Sequence, residues 1–130
     1  MTKIKRSDIN EDWAHSGIVE AGNMIFMSYC VGNVNQPIEN QIHGAINHLE
    51  ERLASIGLGL ESVLKIDCLF RNIWDIPVLE KVLKERFKGN YPARKSIQTE
   101  FAHPEGEYGL LFQMDAICIR VERDETPCSE

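Results

Sequence analysis

The sequence predicts an α/β fold of the α+β type, in which two helices cover one face of a mixed sheet in the order β-β-α-β-α-β-β. Two long segments repeat apolar residues every three or four positions, which is typical of amphipathic helices. Shorter segments alternate apolar and polar residues over the length of a strand. Because 130 residues can bury a core, we expect one domain over 1–130, with loose termini at about 1–14 and 122–130.

The composition restricts the classes of protein to which this chain can belong. A net charge of −6 lacks the basic footprint of a nucleic-acid-binding protein, so we expect no nucleic-acid partner. There is neither an apolar run of membrane-spanning length nor a signal peptide, so we expect no membrane association and a cytoplasmic location. We predict no metal and no other cofactor. Without C-x-x-C spacing, we expect reduced thiols at Cys30, Cys68, Cys118 and Cys128.

A hairpin and a long helix open the predicted domain. The runs "GIVEA" and "MIFMSYCVG" flank Gly22-Asn23, a pair that tolerates the positive φ of a two-residue turn. The first helix follows, and Gly57 is its expected left-handed C-terminal cap. The apolar residues on one side of this helix are Ile38, Ile42, Ala45, Ile46, Leu49, Leu53 and Ile56.

The third strand, "SVLKIDCLFR", leads into the second helix. Its polar side carries Lys65, Asp67 and Arg71. Asp75 is the expected N-cap of the second helix, and Pro77 lies in its first turn. The residues of the strand that we expect to face the helices are Leu64, Ile66, Cys68 and Phe70. The expected inner face of the second helix consists of Ile76, Leu79, Val82, Leu83 and Phe87.

The last strand, "LLFQMDAICIRVE", has two contrasting sides. One side is polar near Gln113 and Asp115 but apolar at Ile117 and Ile119. Open to water, those isoleucines would favour aggregation, so we expect sheets of several subunits to pack there, with polar clefts between the subunits. The other side, which we expect to face the helices, consists of Phe112, Met114, Ala116 and Cys118.

The segment "NYPARKSIQTE" places Arg94 at the start of the fourth strand. Pro92 stiffens the approach because its ring holds φ near one value. The guanidinium fork of arginine pairs bidentately with a carboxylate or a phosphate. The strand pattern alone equally supports an anion-binding Arg94 and an Arg94 that is paired with a carboxylate of a neighbouring subunit.

The chain resembles the reactive intermediate deaminase family (Rid, or YjgF, also labelled endoribonuclease L-PSP) from about Ile18 to Arg120. The resemblance rests on "GNMIFMS", "NQIHGAINHLEERLASIGLGLESVLKIDCLF", "YPAR" and "MDAICIR". These motifs are specific in combination, in this order and at this spacing. The resemblance implies a chorismate-mutase-like fold and a homotrimer, with a central barrel of sheets and three clefts between subunits.

The resemblance also implies an activity and a set of site residues. Members of the family hydrolyse enamines and imines such as 2-aminoacrylate to 2-keto acids and ammonia. Arg94, as the arginine of the P-A-R motif, would hold the carboxylate of the substrate. Ser28, Tyr29 and the backbone near Ser96 and Ile97 would complete the substrate site.

The sequence departs from the family pattern at several of these positions. Gln113 stands where active deaminases have a glutamate, and an amide can hold a water but cannot take a proton. Asp115 lies on the same side of the strand and is the carboxylate there that could partly substitute, although we favour an interface ion pair with Lys65 or Arg71. Tyr29 replaces a glycine, which would narrow the cleft. Cys30 replaces a glutamine, and we expect a packed thiol there.

Histidines supply the remaining candidates for proton transfer. His15 aligns approximately with a family tyrosine, and His103 lies in the loop before the last strand, where a histidine could serve as acid or base, so both are accessory candidates. A loop histidine without a role is the commoner case. We expect His43 and His48 to be exposed, because both lie outside the main apolar stripe of the first helix.

Three functions remain open at this point. The first is hydrolytic deamination of small 2-imino or 2-enamino acids, which needs little machinery because imines are already electrophilic. The second is a non-catalytic module of the same fold that binds a keto acid, and Gln113 and Tyr29 favour it. The third is RNA cleavage of the kind that inhibits translation, and the acidic charge argues against it.

Overall fold

A computed structural model describes residues 3–102 and 106–121 of the chain. The strands are β1 (Ile4–Asn10), β2 (His15–Ala21), β3 (Met24–Cys30), β4 (Val63–Phe70), β5 (Ala93–Gln98) and β6 (Phe112–Ile119). The helices are α1 (Ile38–Ser55) and α2 (Ile76–Phe87). The predicted α+β fold, a mixed sheet with two helices, is confirmed.

The strands form one sheet in the order β1-β2-β3-β6-β4-β5. Only the β4–β5 pair among these is parallel, and α2 provides the crossover that a parallel pair requires. The last strand in sequence, β6, lies in the middle and pairs with both β3 and β4. The strands β1 and β5 are therefore the two edges of the sheet.

The structure adds β1, a strand that the sequence analysis treated as part of a loose terminus. It pairs with β2 from Ile4 opposite Ala21 to Asn10 opposite His15. All but one of its residues are exposed, so its sequence carries no alternation of apolar and polar residues. Pairing with β2, rather than burial, defines this strand. The expected loose tail, 122–130, lies outside the described residues.

The core lies between the helices and one face of the sheet. In β6 the expected helix-facing residues are all buried, and the intervening residues are only half-buried. The same alternation holds in β4, except at its start, where Leu64 is 45% exposed and Val63 is buried instead. A break in the β4–β6 register between Val63 and Lys65 turns Leu64 out of the core. The expectation that Leu64 faces the helices is therefore wrong.

The helix α1 ends as its sequence predicts. The amide of Leu58 donates to the Leu53 carbonyl and the amide of Gly57 donates to the Ala54 carbonyl, with Gly57 at a φ of 78°. This pattern is a Schellman motif, which requires the left-handed backbone conformation at the position of Gly57. At the start of α2, Asp75 occupies the N-cap position but its side chain makes no capping hydrogen bond. Asn72 instead accepts a hydrogen bond from the amide of Trp74, one turn earlier.

A buried glutamine attaches the segment before β6 to α1. Gln41 is fully buried, and its amide group donates to the Gly109 carbonyl and accepts from the Leu111 amide. Asn35 accepts hydrogen bonds from the amides of Tyr108 and Gly109 at the same place. The nitrogen and the oxygen of the Gln41 amide are therefore both hydrogen-bonded to the segment, as buried polar atoms need to be. These bonds fix the backbone just before β6.

We expect Gly44→Ala to destabilise the protein, although glycine to alanine in a helix ordinarily gains about 0.5–1 kcal/mol. A Cβ on Gly44 would lie 2.5 Å from the backbone of Gly32 in the loop after β3. Backbone cannot move aside as a side chain can, so the free energy of unfolding should fall by roughly 1–3 kcal/mol. Urea unfolding measures this, and Glu51→Ala, at an exposed position of α1, is the matched control. A stabilised Gly44→Ala would show that the two glycines are not in contact.

Candidate functional site

A β-bulge interrupts the pairing of β3 with β6. Met27 is opposite Ala116 and Cys30 is opposite Met114, so the two residues between them in β3 face one residue, Asp115. One of the two, Tyr29, has a φ of 62°. A bulky residue is seldom found in this left-handed region, where a side chain costs roughly 1–2 kcal/mol.

Asp115 holds the two bulged residues from the open face of the sheet. Its Oδ1 accepts a hydrogen bond from the Ser28 hydroxyl at 3.1 Å and another from the Tyr29 amide at 3.0 Å. Within the described chain Asp115 forms no ion pair with Lys65 or Arg71, and the expected ion pair at a subunit interface stays a prediction. Lys65 lies 3.4 Å from Asp67 instead, and the Arg71 guanidinium lies 5.8 Å from the centre of the Phe101 ring.

The ring of Tyr29 packs among aromatic groups. It meets Trp13 edge to face, with ring centres 5.5 Å apart, and it meets His15 edge to face at 6.1 Å. Partial burial raises the pKa of Tyr29, so its hydroxyl stays protonated at neutral pH. Nε2 of His15 lies 3.4 Å from the Ser28 carbonyl oxygen, and its Nδ1 is a buried atom without a hydrogen-bond partner among the described residues.

A buried arginine, which the sequence analysis missed, holds the same bulge from the helix side. Arg52 of α1 is 6% exposed and donates from its NH1 nitrogen to the Ser28 carbonyl at 2.7 Å. Its Nε donates to Asp8 of β1 at 2.8 Å. The signal was present in the sequence, because Arg52 lies three residues after Leu49 and so interrupts the apolar stripe.

The thiol of Cys30 is packed and protonated, in line with our interpretation of it. Burial raises its pKa to about 11, although Arg52, whose NH1 nitrogen lies 3.4 Å from the sulfur, acts in the opposite direction. Burial likewise raises the pKa of Cys68 and of Cys118 to about 12. These three cysteines are buried and free, whereas Cys128 lies outside the described residues.

Arg94 lies at the other edge of the sheet, beside a cavity of about 360 Å³ between β5 and α2. The two terminal nitrogens of its guanidinium each lie 3.5 Å from a polar partner, the Ser96 hydroxyl and the Glu80 carboxylate. Both distances are at the long limit of a hydrogen bond, so neither contact engages the fork firmly. The residues lining the cavity are Glu80, Leu83, Lys84, Tyr91, Pro92 and Arg94.

Arg94 and Gln113 do not face each other within one chain. Arg94 stands opposite Ile66 of β4, whose side chain is in the core, and so it belongs to the helix side of the sheet. Gln113 stands opposite Leu69 and belongs to the open side, as Asp115 does. Ile97 is 44% exposed and lies on the side opposite to Arg94, since adjacent strand residues point to opposite faces.

Most of the expected site residues fall into two groups within one subunit, whereas Gln113 and Ile97 belong to neither group. The structure brings His15, Ser28, Tyr29 and Asp115 together around the bulge, and we call these four residues the bulge cluster. It places Arg94 and Ser96 together at the β5 edge. His103 lies outside the described residues.

The histidines of α1 are not merely exposed, which corrects the sequence interpretation. His43 accepts a hydrogen bond from Arg86 at 3.0 Å. Nδ1 of His48 lies 3.1 Å from the Val31 carbonyl oxygen, and burial, followed by the nearby Arg52, lowers the pKa of His48.

Over residues 3–102 and 106–121, no helix is long and apolar enough to cross a membrane. No three acidic, histidine or cysteine side chains are grouped as metal ligands there either.

The model of the endoribonuclease L-PSP family matches residues 7–108 of the chain. The chain belongs to this family. A solved structure from Streptococcus pyogenes M1 GAS, described as a hypothetical protein of the YjgF family, is 57% identical. That structure covers 94% of this chain and is itself covered completely, with a TM-score of 0.89. The Rid/YjgF resemblance seen in the sequence is therefore confirmed.

Two further relatives of this YjgF-family chain are more distant. A 2-iminobutanoate/2-iminopropanoate deaminase of Dermatophagoides farinae is 27% identical over 90 residues, which are 64% of this chain and 70% of that protein. A YjgF-family structure from Neisseria meningitidis is 19% identical, with a TM-score of 0.81 over 93% of this chain and 98% of its own. At that identity the second comparison supports the fold alone.

We expect Tyr29→Gly to be more stable than Tyr29→Ala by about 1 kcal/mol, because only the alanine carries a Cβ at positive φ. Both substitutions remove the ring and its contacts with Trp13 and His15, so the comparison isolates the backbone conformation. The free energies of unfolding in urea give the difference. An alanine variant as stable as the glycine variant would mean that position 29 is not held in the left-handed region.

We expect Asp115→Ala to lower the free energy of unfolding by about 1–3 kcal/mol, because it leaves the Tyr29 amide without its acceptor. Asp115→Asn keeps an oxygen at the same place and should cost less than half as much. Ser28→Ala is the control that removes only the hydroxyl bond to Asp115. Equal losses in the alanine and asparagine variants would show that the charge, rather than the acceptor, matters at this position.

Proposed function

We propose that the protein hydrolyses small 2-imino or 2-enamino acids to 2-keto acids and ammonia, with Arg94 holding the carboxylate of the substrate. The observation that carries this proposal is the state of the Arg94 guanidinium. It stands on a strand beside a cavity, and both of its partners in the chain lie 3.5 Å away. A planar fork that is only loosely engaged by its neighbours suits bidentate binding of a carboxylate.

The family relationship supports the choice of reaction. A distant relative from Dermatophagoides farinae carries the name of a 2-iminobutanoate/2-iminopropanoate deaminase. Both substrates in that name are small and bear a carboxylate next to the imine carbon. An enzyme that holds the carboxylate, places a water and supplies a proton has the parts that hydrolysis of an imine needs.

We further propose that the active site is shared between two subunits of a homotrimer. Arg94 and Ser96 of one subunit would face the bulge cluster and Gln113 of the next, which explains how residues on opposite sides of one sheet can form one site. The exposed apolar residues of the open face support assembly. Phe26 is 43% exposed and Ile97 is 44% exposed, while Ile117 beside Phe26 is half-buried.

The residues would then have distinct roles in the shared site. Arg94 would bind the carboxylate, and the Ser28 hydroxyl would bind the imine nitrogen or the attacking water. Gln113 would orient a water through its amide without taking the proton. Asp115 already accepts two hydrogen bonds, so its part is to hold Ser28 and Tyr29 rather than to act as the base.

A binding module of the same fold, which retains a 2-keto acid without turnover, is the second candidate. Two features of the site favour it. Gln113 cannot act as a general base, and Tyr29 places an aromatic ring at a backbone position whose φ of 62° suits glycine. Binding of 2-oxobutanoate without acceleration of imine hydrolysis would identify this role.

The proposed activity is tested by release of 2-keto acid from an imine that an amino-acid oxidase generates in situ, with semicarbazide trapping the free imine. We expect the wild type to accelerate release and Arg94→Ala to lower kcat/KM roughly 10- to 100-fold, as the loss of a charge-assisted pair predicts. Arg94→Lys keeps the charge without the fork and should recover only part of the loss. Gln113→Glu should raise kcat.

Lys81→Ala is the matched control, since it removes one exposed positive charge from α2 that pairs with Glu39 on α1. It should leave kcat/KM unchanged. If the wild type gives no acceleration but Gln113→Glu does, the deaminase proposal is wrong for the natural chain and the binding module becomes the better proposal. If Arg94→Ala and the wild type have equal kcat/KM, Arg94 does not hold the substrate.

A further inference from the structure

Arg52 is the most buried charged residue among the described residues, and it and its partners together belong to three different elements. Arg52 itself is on α1, Asp8 is on β1, and the Ser28 carbonyl is on β3. Its NH1 nitrogen also approaches the sulfur of Cys30 to 3.4 Å. One side chain thus connects the helix layer, an edge strand and the bulge.

The ion pair with Asp8, whose side chain is 51% exposed, is not by itself a strong source of stability. Removing a guanidinium from water carries a large desolvation penalty, and well-packed apolar residues often replace buried ion pairs without loss of stability. The surrounding sequence is nevertheless fitted to this charge. A Cβ on Gly17 would lie 2.5 Å from both the Arg52 guanidinium and the Asp8 carboxylate, so the ion pair occupies the space that a side chain on Gly17 would fill.

We propose that Arg52 is a positioning residue of the substrate site. It acts by holding the Ser28 carbonyl, so that the Ser28 hydroxyl and the Tyr29 amide keep one fixed orientation. This inference rests on the proposed function, in which Ser28 contacts the substrate. It adds Arg52 and, through the ion pair, Asp8 of the N-terminal strand to the residues on which substrate binding depends.

The geometry of the bulge explains why such a residue is needed. Tyr29 is in a left-handed conformation that persists only where the surroundings determine it strongly. Arg52 binds the carbonyl of the Ser28–Tyr29 peptide from the helix side, while Asp115 binds the amide of the same peptide from the open side. Both ends of one peptide group are therefore held by charged groups. Without Arg52 the peptide can rotate, and the Ser28 hydroxyl then leaves its place.

The test compares Arg52→Met, Arg52→Lys and the control Arg86→Met in the full chain. Arg86 also joins two elements through a carboxylate, since it binds Glu50 and Asn47 of α1 from α2, but it has no contact with the bulge. Three quantities are measured for each variant: hydrogen exchange of the Tyr29 amide by NMR, the Kd for 2-oxobutanoate by calorimetry, and Tm.

We expect Arg52→Met to speed exchange of the Tyr29 amide and to weaken 2-oxobutanoate binding, each about tenfold or more, as loss of a charged hydrogen bond predicts. Arg86→Met should change both by less than twofold, whatever its effect on Tm. Arg52→Lys keeps a cation near Asp8 without the fork, so its Tm should be closer to that of the wild type while its Kd follows that of Arg52→Met.

Each remaining outcome decides the matter. Unchanged exchange at Tyr29 in Arg52→Met overturns the inference, and so does faster exchange with unchanged Kd, because Arg52 would then hold the bulge without serving the ligand. If the wild type neither binds 2-oxobutanoate nor hydrolyses imines, the proposed function fails and this inference fails with it, while exchange at Tyr29 still shows whether Arg52 holds the peptide. Should Arg52→Met not fold, Asp8→Asn replaces it, with at least threefold faster exchange expected and equal exchange overturning the inference.

Discussion

The register of β6 is the constraint on which the rest of the structure depends. This strand pairs with β3 on one side and with β4 on the other, and its residues alternate strictly between the core and the open face. A shift of one residue would exchange the two faces completely. Both neighbours must therefore match its alternation, and each does so by means of one irregularity, at Leu64 in β4 and at the bulge in β3.

The two irregularities have different consequences because their surroundings differ. At Leu64 the irregularity turns an apolar side chain away from the core. At the bulge the backbone itself is displaced, and a buried sheet cannot leave an amide or a carbonyl unpaired without a penalty. Asp115 and Arg52 supply the missing partners, one from each side of the sheet. The strained peptide is thus hydrogen-bonded at both ends to charged side chains, and strain that is held in this way is typical of functional positions.

The division of the candidate site follows from the topology of the sheet. The bulge lies between β2, β3 and β6, whereas Arg94 is on the edge strand β5, beyond β4. In addition, Arg94 points to the helix side and Gln113 to the open side. No change of side-chain rotamer can bring these groups together in one subunit, and the proposal of a site between subunits follows from that separation. The proposal also implies that activity would depend on assembly, since each subunit would carry only part of the proposed site.

The sequence by itself determined the fold class, the two helices, five of the six strands and the hairpin turn. The helices and these strands have a strong periodicity of apolar residues, and the turn has a glycine, Gly22, where positive φ is needed. It also singled out Arg94, Ser28, Tyr29, Gln113, His15 and Asp115. Only the tertiary structure decided the rest: β1, which has no buried face to leave a pattern; the bulge, which is a relation between two strands; and Arg52 with Asp8, which lie 44 residues apart. Local periodicity records which face a residue occupies, whereas partners distant in sequence are set by how the layers pack.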